Sequence, residues 1–194
     1  MTAGTIHTAE EYLAIERASE ERSELVNGRI RSRARSNLAH VRIVGNIAAH
    51  AHARLRDGSC EVLTVAMRVK VRRTGMYAYP DVVAFCGAPE LEDPFEDTLL
   101  NPAVIVEVYS DETEAFDRGE KFIQYRRIDT LREYILIAQD GRLIEQYVRR
   151  GNDWVLHEIS EPGGVLPIEA LGCEIPLDEI YDRVEFPAPG PVRG

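Results

Sequence analysis

The sequence predicts a single domain of the α/β (α+β) class, built on a mixed central β-sheet flanked by helices. Three observations lead there. Short, β-branched runs such as Val82-Val83-Ala84-Phe85, Val104-Ile105-Val106 and Tyr134-Ile135-Leu136-Ile137 are apolar at every position, as strands covered on both faces are. Segments with apolar residues at helical spacing separate several of them. The 194 residues suit one hydrophobic core, with no internal repeat and no second domain.

Taken in order, Thr8-Ala9-Glu10-Glu11 opens as a capping box, with Thr8 as N-cap and Glu11 at N3, and predicts a helix through Tyr12, Leu13 and Ile15. Asn27-Gly28, between Glu24-Leu25-Val26 and Arg29-Ile30, is a hairpin turn signal. Ser36 or Asn37 caps a second helix, whose Leu38, Val41, Val44, Ile47 and Ala51 recur at near-helical spacing up to Asp57-Gly58. Residues 61–73 alternate, setting Arg68, Lys70 and Arg72 against Val69 and Val71. That pattern predicts one half-buried strand with a basic outer edge. Thr74-Gly75 then turns the chain into the strand of Asp81, and the Pro- and acid-rich residues 87–102 read as a solvated loop. After the strand of Glu107 come a helix through Phe116, Ile123 and Tyr125, a strand from Glu133 to Ala138, and a hairpin at Asp140-Gly141 into Leu143–Val148. A further strand carries Trp154, Leu156 and Ile159, and a short helix runs from Ile175-Pro176-Leu177 to Tyr181. The domain is expected over residues 5–185, with residues 186–194 a disordered Pro-rich tail.

Bulk composition narrows the function. No apolar run approaches the roughly twenty residues of a membrane span, and Met1-Thr2-Ala3-Gly4 lacks the layout of a signal peptide. Cys60, Cys86 and Cys173 are odd in number and far apart, which reads as buried free thiols in a reducing, cytoplasmic setting, with no membrane partner. The net charge of −10 argues against a nucleic-acid partner until its distribution is considered. Residues 22–73 hold twelve Lys/Arg against three Asp/Glu, whereas residues 74–194 hold ten against twenty-five. Such a basic third can face phosphates, or it can pair with the acidic remainder.

One constellation carries chemistry. Asp81 and Glu107 each interrupt an apolar run, and a buried carboxylate is expensive unless paired or bound to a cation. Lys121 follows on the next helical segment. Two acids and a lysine suffice for Mg²⁺-assisted phosphodiester hydrolysis, because Mg²⁺ needs only one or two carboxylates beside water and substrate phosphate. A lysine nearby orients the attacking water or stabilises charge developing on the phosphate. Bland readings stand beside this one: Asp81 as a strand-entry residue, Glu107 and Lys121 as a structural ion pair, Glu24 as the base of its hairpin, Asp117 and Glu120 as surface charges, and His40 as a packed helix-start residue. No serine has the His and acid neighbours of a hydrolase triad.

In Pro80-Asp81-Val82-Val83, Val106-Glu107-Val108-Tyr109-Ser110 and Asp117-Arg118-Gly119-Glu120-Lys121 the chain resembles the Uma-type putative restriction endonucleases of the PD-(D/E)xK nuclease superfamily, with the lysine moved from strand to helix. Thr8-Ala9-Glu10-Glu11-Tyr12-Leu13, Glu24-Leu25-Val26-Asn27-Gly28, His40 and Arg132-Glu133-Tyr134 add to the likeness, which spans about residues 5–185. The resemblance implies a restriction-endonuclease-like fold and a metal-dependent endonuclease acting on DNA. It further implies Asp81 and Glu107 as ligands of Mg²⁺ or Mn²⁺, Lys121 as the catalytic lysine, Glu24 as an additional acid, and a homodimer. The basic segment 29–73 would face the DNA. The chain departs from the family at Tyr109-Ser110-Asp111-Glu112-Thr113, where Leu-Ser-Pro-Ser-Thr is usual, so extra acids stand beside the expected site. Two rival readings are a catalytically inactive nucleic-acid-binding protein that keeps the fold, and a protein-interaction module whose acids are structural ion pairs.

Overall fold

The structure, a computed structural model, describes residues 5–33, 35–64 and 66–186. Helix α1 (Ala9–Ala18) starts with both halves of the capping box in place between Thr8 and Glu11. Strands β1 (Ser23–Val26) and β2 (Arg29–Ser32) form the expected hairpin. Asn27 and Gly28 both take positive φ, 50° and 74°, as a two-residue primed turn demands. Helix α2 (Leu38–Leu55) has Asn37 as its N-cap, its side chain accepting from the His40 N–H.

The expected strand over 61–73 is instead two, β3 (Cys60–Thr64) and β4 (Arg68–Val71), and they belong to different sheets. Val65, within that expected strand, lies outside the described residues. The basic edge is also corrected. β4 lies between β5 (Met76–Ala78) and β7 (Thr98–Leu99), so both its edges are paired, and all its residues but the half-buried Lys70 are buried. Arg68 is buried there, its side chain donating to Thr98 Oγ1 and Tyr79 Oη. The remaining strands are β6 (Val82–Cys86), β8 (Val104–Tyr109), β9 (Glu133–Ala138), β10 (Ile144–Arg150), β11 (Asp153–Ile159), β12 (Val165–Ile168) and β13 (Cys173–Pro176). A π-helix (Phe116–Lys121) runs into α3 (Phe122–Tyr125), and α4 (Leu177–Ile180) follows β13.

The principal sheet is mixed and six-stranded, in the order β11-β10-β9-β8-β6-β3, with β8 and β9 parallel. A five-stranded sheet, β2-β1-β5-β4-β7, packs beside it, and β12 and β13 make a hairpin. Strand β8 shows why both faces of the principal sheet are apolar. Val104, Val106 and Val108 point into a core with α2, α4, β12 and β13, while Ile105 and Tyr109 point into a second core with the five-stranded sheet and α3. Glu107 falls in the series of the second face, by the two-residue period of a strand.

The cysteine expectation is overturned for two of three. Cys60 and Cys86 stand opposite one another in the β3–β6 register and are joined as a disulfide, and Cys173 is free. The argument for a reducing compartment loses that support. Among the described residues no helix is long and apolar enough to cross a membrane. The Phe186 ring packs edge-on against Tyr181, 5.5 Å between centroids, and residues 187–194 of the expected tail lie outside the described residues.

Candidate active site

Pro80 and Asp81 lie where the chain leaves the five-stranded sheet at the end of β5 and enters the six-stranded sheet as β6. The antiparallel register pairs Val82 with Val106. Continued by one residue it sets Asp81 across from Glu107, where opposed side chains on one face stand about 5 Å apart at Cβ. The π-helix lies over the same place. Its looser, i→i+5 turn is a device common at functional sites, and here it brings Asp117 and Lys121 inward together. Glu24 arrives from β1. The structure thus gathers Glu24, Asp81, Glu107 and Lys121 around one cavity of about 240 Å³. All are nearly sealed from solvent, at 5%, 2%, 3% and 6% exposure.

Lys121 is the hub. Its Nζ lies 3.0 Å from Glu107 Oε1, 3.3 Å from Glu24 Oε1 and 3.4 Å from Asp117 Oδ1. Glu107 Oε1 also accepts from the Tyr125 hydroxyl at 3.1 Å, and Glu24 Oε1 from the Tyr79 N–H at 3.0 Å. Glu24 therefore ties the chain leaving β5 to the cavity rather than to its own hairpin turn. Asp81 is held separately. Its Oδ1 meets Arg33 Nη2 at 3.0 Å and His40 Nε2 at 3.1 Å, and its Oδ2 accepts the Val108 N–H at 2.8 Å.

Burial is the largest influence on Asp81, Glu107, Asp117 and Lys121, and neighbours decide its outcome. Burial pushes the Glu107 carboxyl up to about 8, against the pull of Lys121 and with the help of Asp117, Asp81 and Glu24. Burial likewise raises Asp117. For Lys121 burial opposes the charge, but three carboxylates outweigh it, so the ammonium is held well above its ordinary range. Burial would raise Asp81 too, yet the hydrogen bonds from His40 and Val108 and the Arg33 charge leave it below the usual carboxylate range.

Four buried carboxylates thus meet two permanent cations, Lys121 and Arg33. With all four ionised the surplus would be two negative charges; the upward shift of Glu107 relieves it with a proton, and a bound divalent cation would relieve it instead. Among the described residues no three His, Cys, Asp or Glu side chains converge as a ready-made cation cage. Mg²⁺ does not need one, since one or two carboxylates with waters suffice. The hard oxygens of Asp81 and Glu107 fit that requirement.

Sequence reasoning missed two members of this group. Asp117 is not a surface charge but buried, at 4% exposure; its place four residues before Lys121 was the available signal. Arg33 was counted only as part of a basic stretch. That stretch is also narrower in effect than expected. Arg54 pairs with Glu179, Arg68 with Asp97, Lys70 with Glu92, Arg72 with Glu90 and Arg73 with Asp129. Among the described Lys and Arg residues of 29–73, those lining the cavity are Arg31, Arg33 and Arg35.

A mixed sheet flanked by helices, with acids from two adjacent strands and a helix-borne lysine around one cavity, defines a protein of nuclease-like architecture. A crystal structure from Anabaena variabilis, described as a putative nuclease belonging to DUF820, shares this fold, with a TM-score of 0.75 at 14% identity over 90% of this chain and 97% of that one. Residues 9–178 match the model of the Uma2 family, described as "Putative restriction endonuclease", and the chain belongs to that family. Two proteins of Synechocystis sp. are similar: sll1609, 34% identical over 79% of this chain and 88% of its own length, and slr1290, 27% identical over 91% and 92%.

Proposed function

We propose that this chain is a metal-dependent endonuclease that hydrolyses DNA phosphodiester bonds. The observation that carries the reading is the surplus of buried carboxylate at Glu24, Asp81, Glu107 and Asp117 over Lys121 and Arg33, in a cavity open to the Arg31–Arg35 segment. Family membership supports it. In this reading Asp81 and Glu107 hold Mg²⁺ or Mn²⁺, which when bound polarises the phosphoryl oxygens and lowers the pKa of water. Glu24 is the additional acid. Lys121 places its ammonium where the attacking water and the developing phosphate charge need a donor. Arg31, Arg33 and Arg35 meet the phosphates. Water adds to phosphorus, one ester P–O bond breaks, and the departing alkoxide takes a proton.

The test is cleavage of plasmid DNA with Mg²⁺ or Mn²⁺. Wild type is expected to cut and to stop on EDTA addition. Asp81→Asn, Glu107→Gln and Lys121→Met are expected to lose roughly 10²–10⁴-fold in rate while keeping their far-UV dichroism. Equal cutting by wild type and all three variants refutes the assignment. A second reading, an inactive nucleic-acid-binding protein of this fold, is favoured by the engagement of the Asp81 and Glu107 oxygens with Arg33, His40, Lys121 and Tyr125. Calorimetric silence toward Mn²⁺ with retained DNA binding selects it. A cytoplasmic homodimer belongs to the same proposal, and gel filtration coupled to light scattering checks the dimer.

A further inference from the structure

Three donors hold Asp81, and they differ in how freely they can leave. The Val108 N–H at Oδ2 belongs to the backbone of β8 and is fixed by the sheet. The His40 ring at Oδ1 is a short side chain in the first turn of α2, where the Asn37 side chain accepts its backbone N–H. Arg33 is tethered more loosely. It follows Ser32, the last paired residue of β2, and its N–H reaches the Arg22 carbonyl only at 3.4 Å. Among the described residues its guanidinium makes one hydrogen bond, from Nη2 to Asp81 Oδ1 at 3.0 Å. Its side chain keeps 24% of its surface open to solvent, whereas that of Asp81 keeps 3%.

That single contact falls on a carboxylate that the proposed function gives to a metal. Burial opposes the Arg33 charge, and the charges of Asp81, Glu107 and Glu24 hold it in place. A divalent cation bound to the same acids competes with the guanidinium, because two cations at one carboxylate repel each other. A phosphate is the better partner for Arg33. A guanidinium is a planar fork of five N–H donors that gives phosphate two parallel bonds, where Asp81 receives one. Arg33 lines the cavity, so a phosphate that enters comes within its reach. Lys121 has no comparable freedom, since three carboxylates surround its ammonium.

Resting on the metal and DNA binding of the reading above, we infer that Arg33 is an exchangeable counter-ion. It neutralises Asp81 in the free protein and passes to a substrate phosphate when DNA enters, so that metal and DNA each strengthen the binding of the other. Calorimetric titration of Mn²⁺ into the full chain tests this, with and without a saturating phosphorothioate oligonucleotide, whose backbone resists hydrolysis. Without the oligonucleotide, Arg33→Gln is expected to bind Mn²⁺ on the order of tenfold more tightly than wild type. Arg33→Lys, which keeps the charge, is expected to match wild type. With the oligonucleotide present, the wild-type and Arg33→Gln affinities are expected to converge, because Arg33 has left Asp81 in one and is missing from the other. No tightening in Arg33→Gln, equal tightening in Arg33→Lys, or a gap that persists with the oligonucleotide overturns the inference. If the expected shifts appear and plasmid is not cut, the nuclease reading falls and the exchange stands. If plasmid is cut without them, only the exchange falls. If Mn²⁺ is not bound and plasmid is not cut, both fall.

Discussion

Beside the five-stranded sheet, Arg17 of α1 and Arg68 and Lys70 of β4 face Asp93, Asp97 and Glu92 of the connection before β7 in close ion pairs, cation for carboxylate. Around Lys121 the same chemical groups are out of proportion, with Glu24, Glu107 and Asp117 sharing one ammonium and Asp81 relying on Arg33 and His40. Both networks contain buried charge, so burial does not tell them apart. A matched network needs nothing further. An unmatched one has to recruit a proton or a cation from outside the chain, which makes charge balance the better sign of a working site.

Removing the central cation from each network gives the largest expected effects. Lys121→Met should destabilise by about 3–5 kcal/mol, because buried carboxylates lose their partner; Arg68→Met should cost less, since Asp97 is one-third exposed and keeps Arg17 as a partner. Urea denaturation with and without Mn²⁺ separates them. The divalent ion should restore part of the loss in Lys121→Met and none in Arg68→Met. Asp117→Asn should act in the opposite sense, raising stability in EDTA by on the order of 1 kcal/mol, since it relieves a surplus of buried charge. Its gain in Tm on adding Mn²⁺ should be smaller than that of wild type.

The balanced network also has an acid limit. Burial works against the Asp97 charge, but hydrogen bonds from Arg17, Arg68 and Thr98 hold its carboxyl well below the usual range. A folded pKa below the unfolded one gives stability that is complete above about pH 4 and is lost as the pH falls further. Melting curves of wild type and Asp97→Asn should therefore differ by a constant amount at neutral pH and converge in acid. The smallest effect is expected at the exposed Arg73–Asp129 pair, with side chains 64% and 77% accessible. Arg73→Gln should change stability by less than about 1 kcal/mol and leave cleavage unaltered.

Asp81 and Glu107 are legible in the sequence because each is an acid inside an apolar run, an arrangement that burial makes costly. The capping box at Thr8 and the Asn27-Gly28 hairpin are equally local and equally readable. What escaped depends on partners distant along the chain. Alternation continues through residues 60–71 while the strands it describes, β3 and β4, lie in different sheets; a two-residue period does not specify which neighbour is being paired. The bond between Cys60 and Cys86 follows from their register across β3 and β6, which neither segment encodes alone. Strands as short as β5 and β7 offer too few positions for a pattern. Asp117 sat in a stretch of four charges among five residues, where solvent exposure is the ordinary outcome for a charged side chain.

The wide turn at Phe116–Lys121 has a genetic consequence. It accommodates one residue more than an α-helical path over the same rise would hold, so loss of a single codon lets the segment tighten while flanking positions keep their places. Removal of a residue between Asp117 and Lys121 shortens their spacing from four residues to three and shifts the Lys121 ammonium along and around the segment relative to Glu107. An in-frame deletion of one residue here is expected to leave the fold in place while parting Lys121 from Glu107, which makes length variation in this segment a sensitive mark of whether the buried charge cluster is kept.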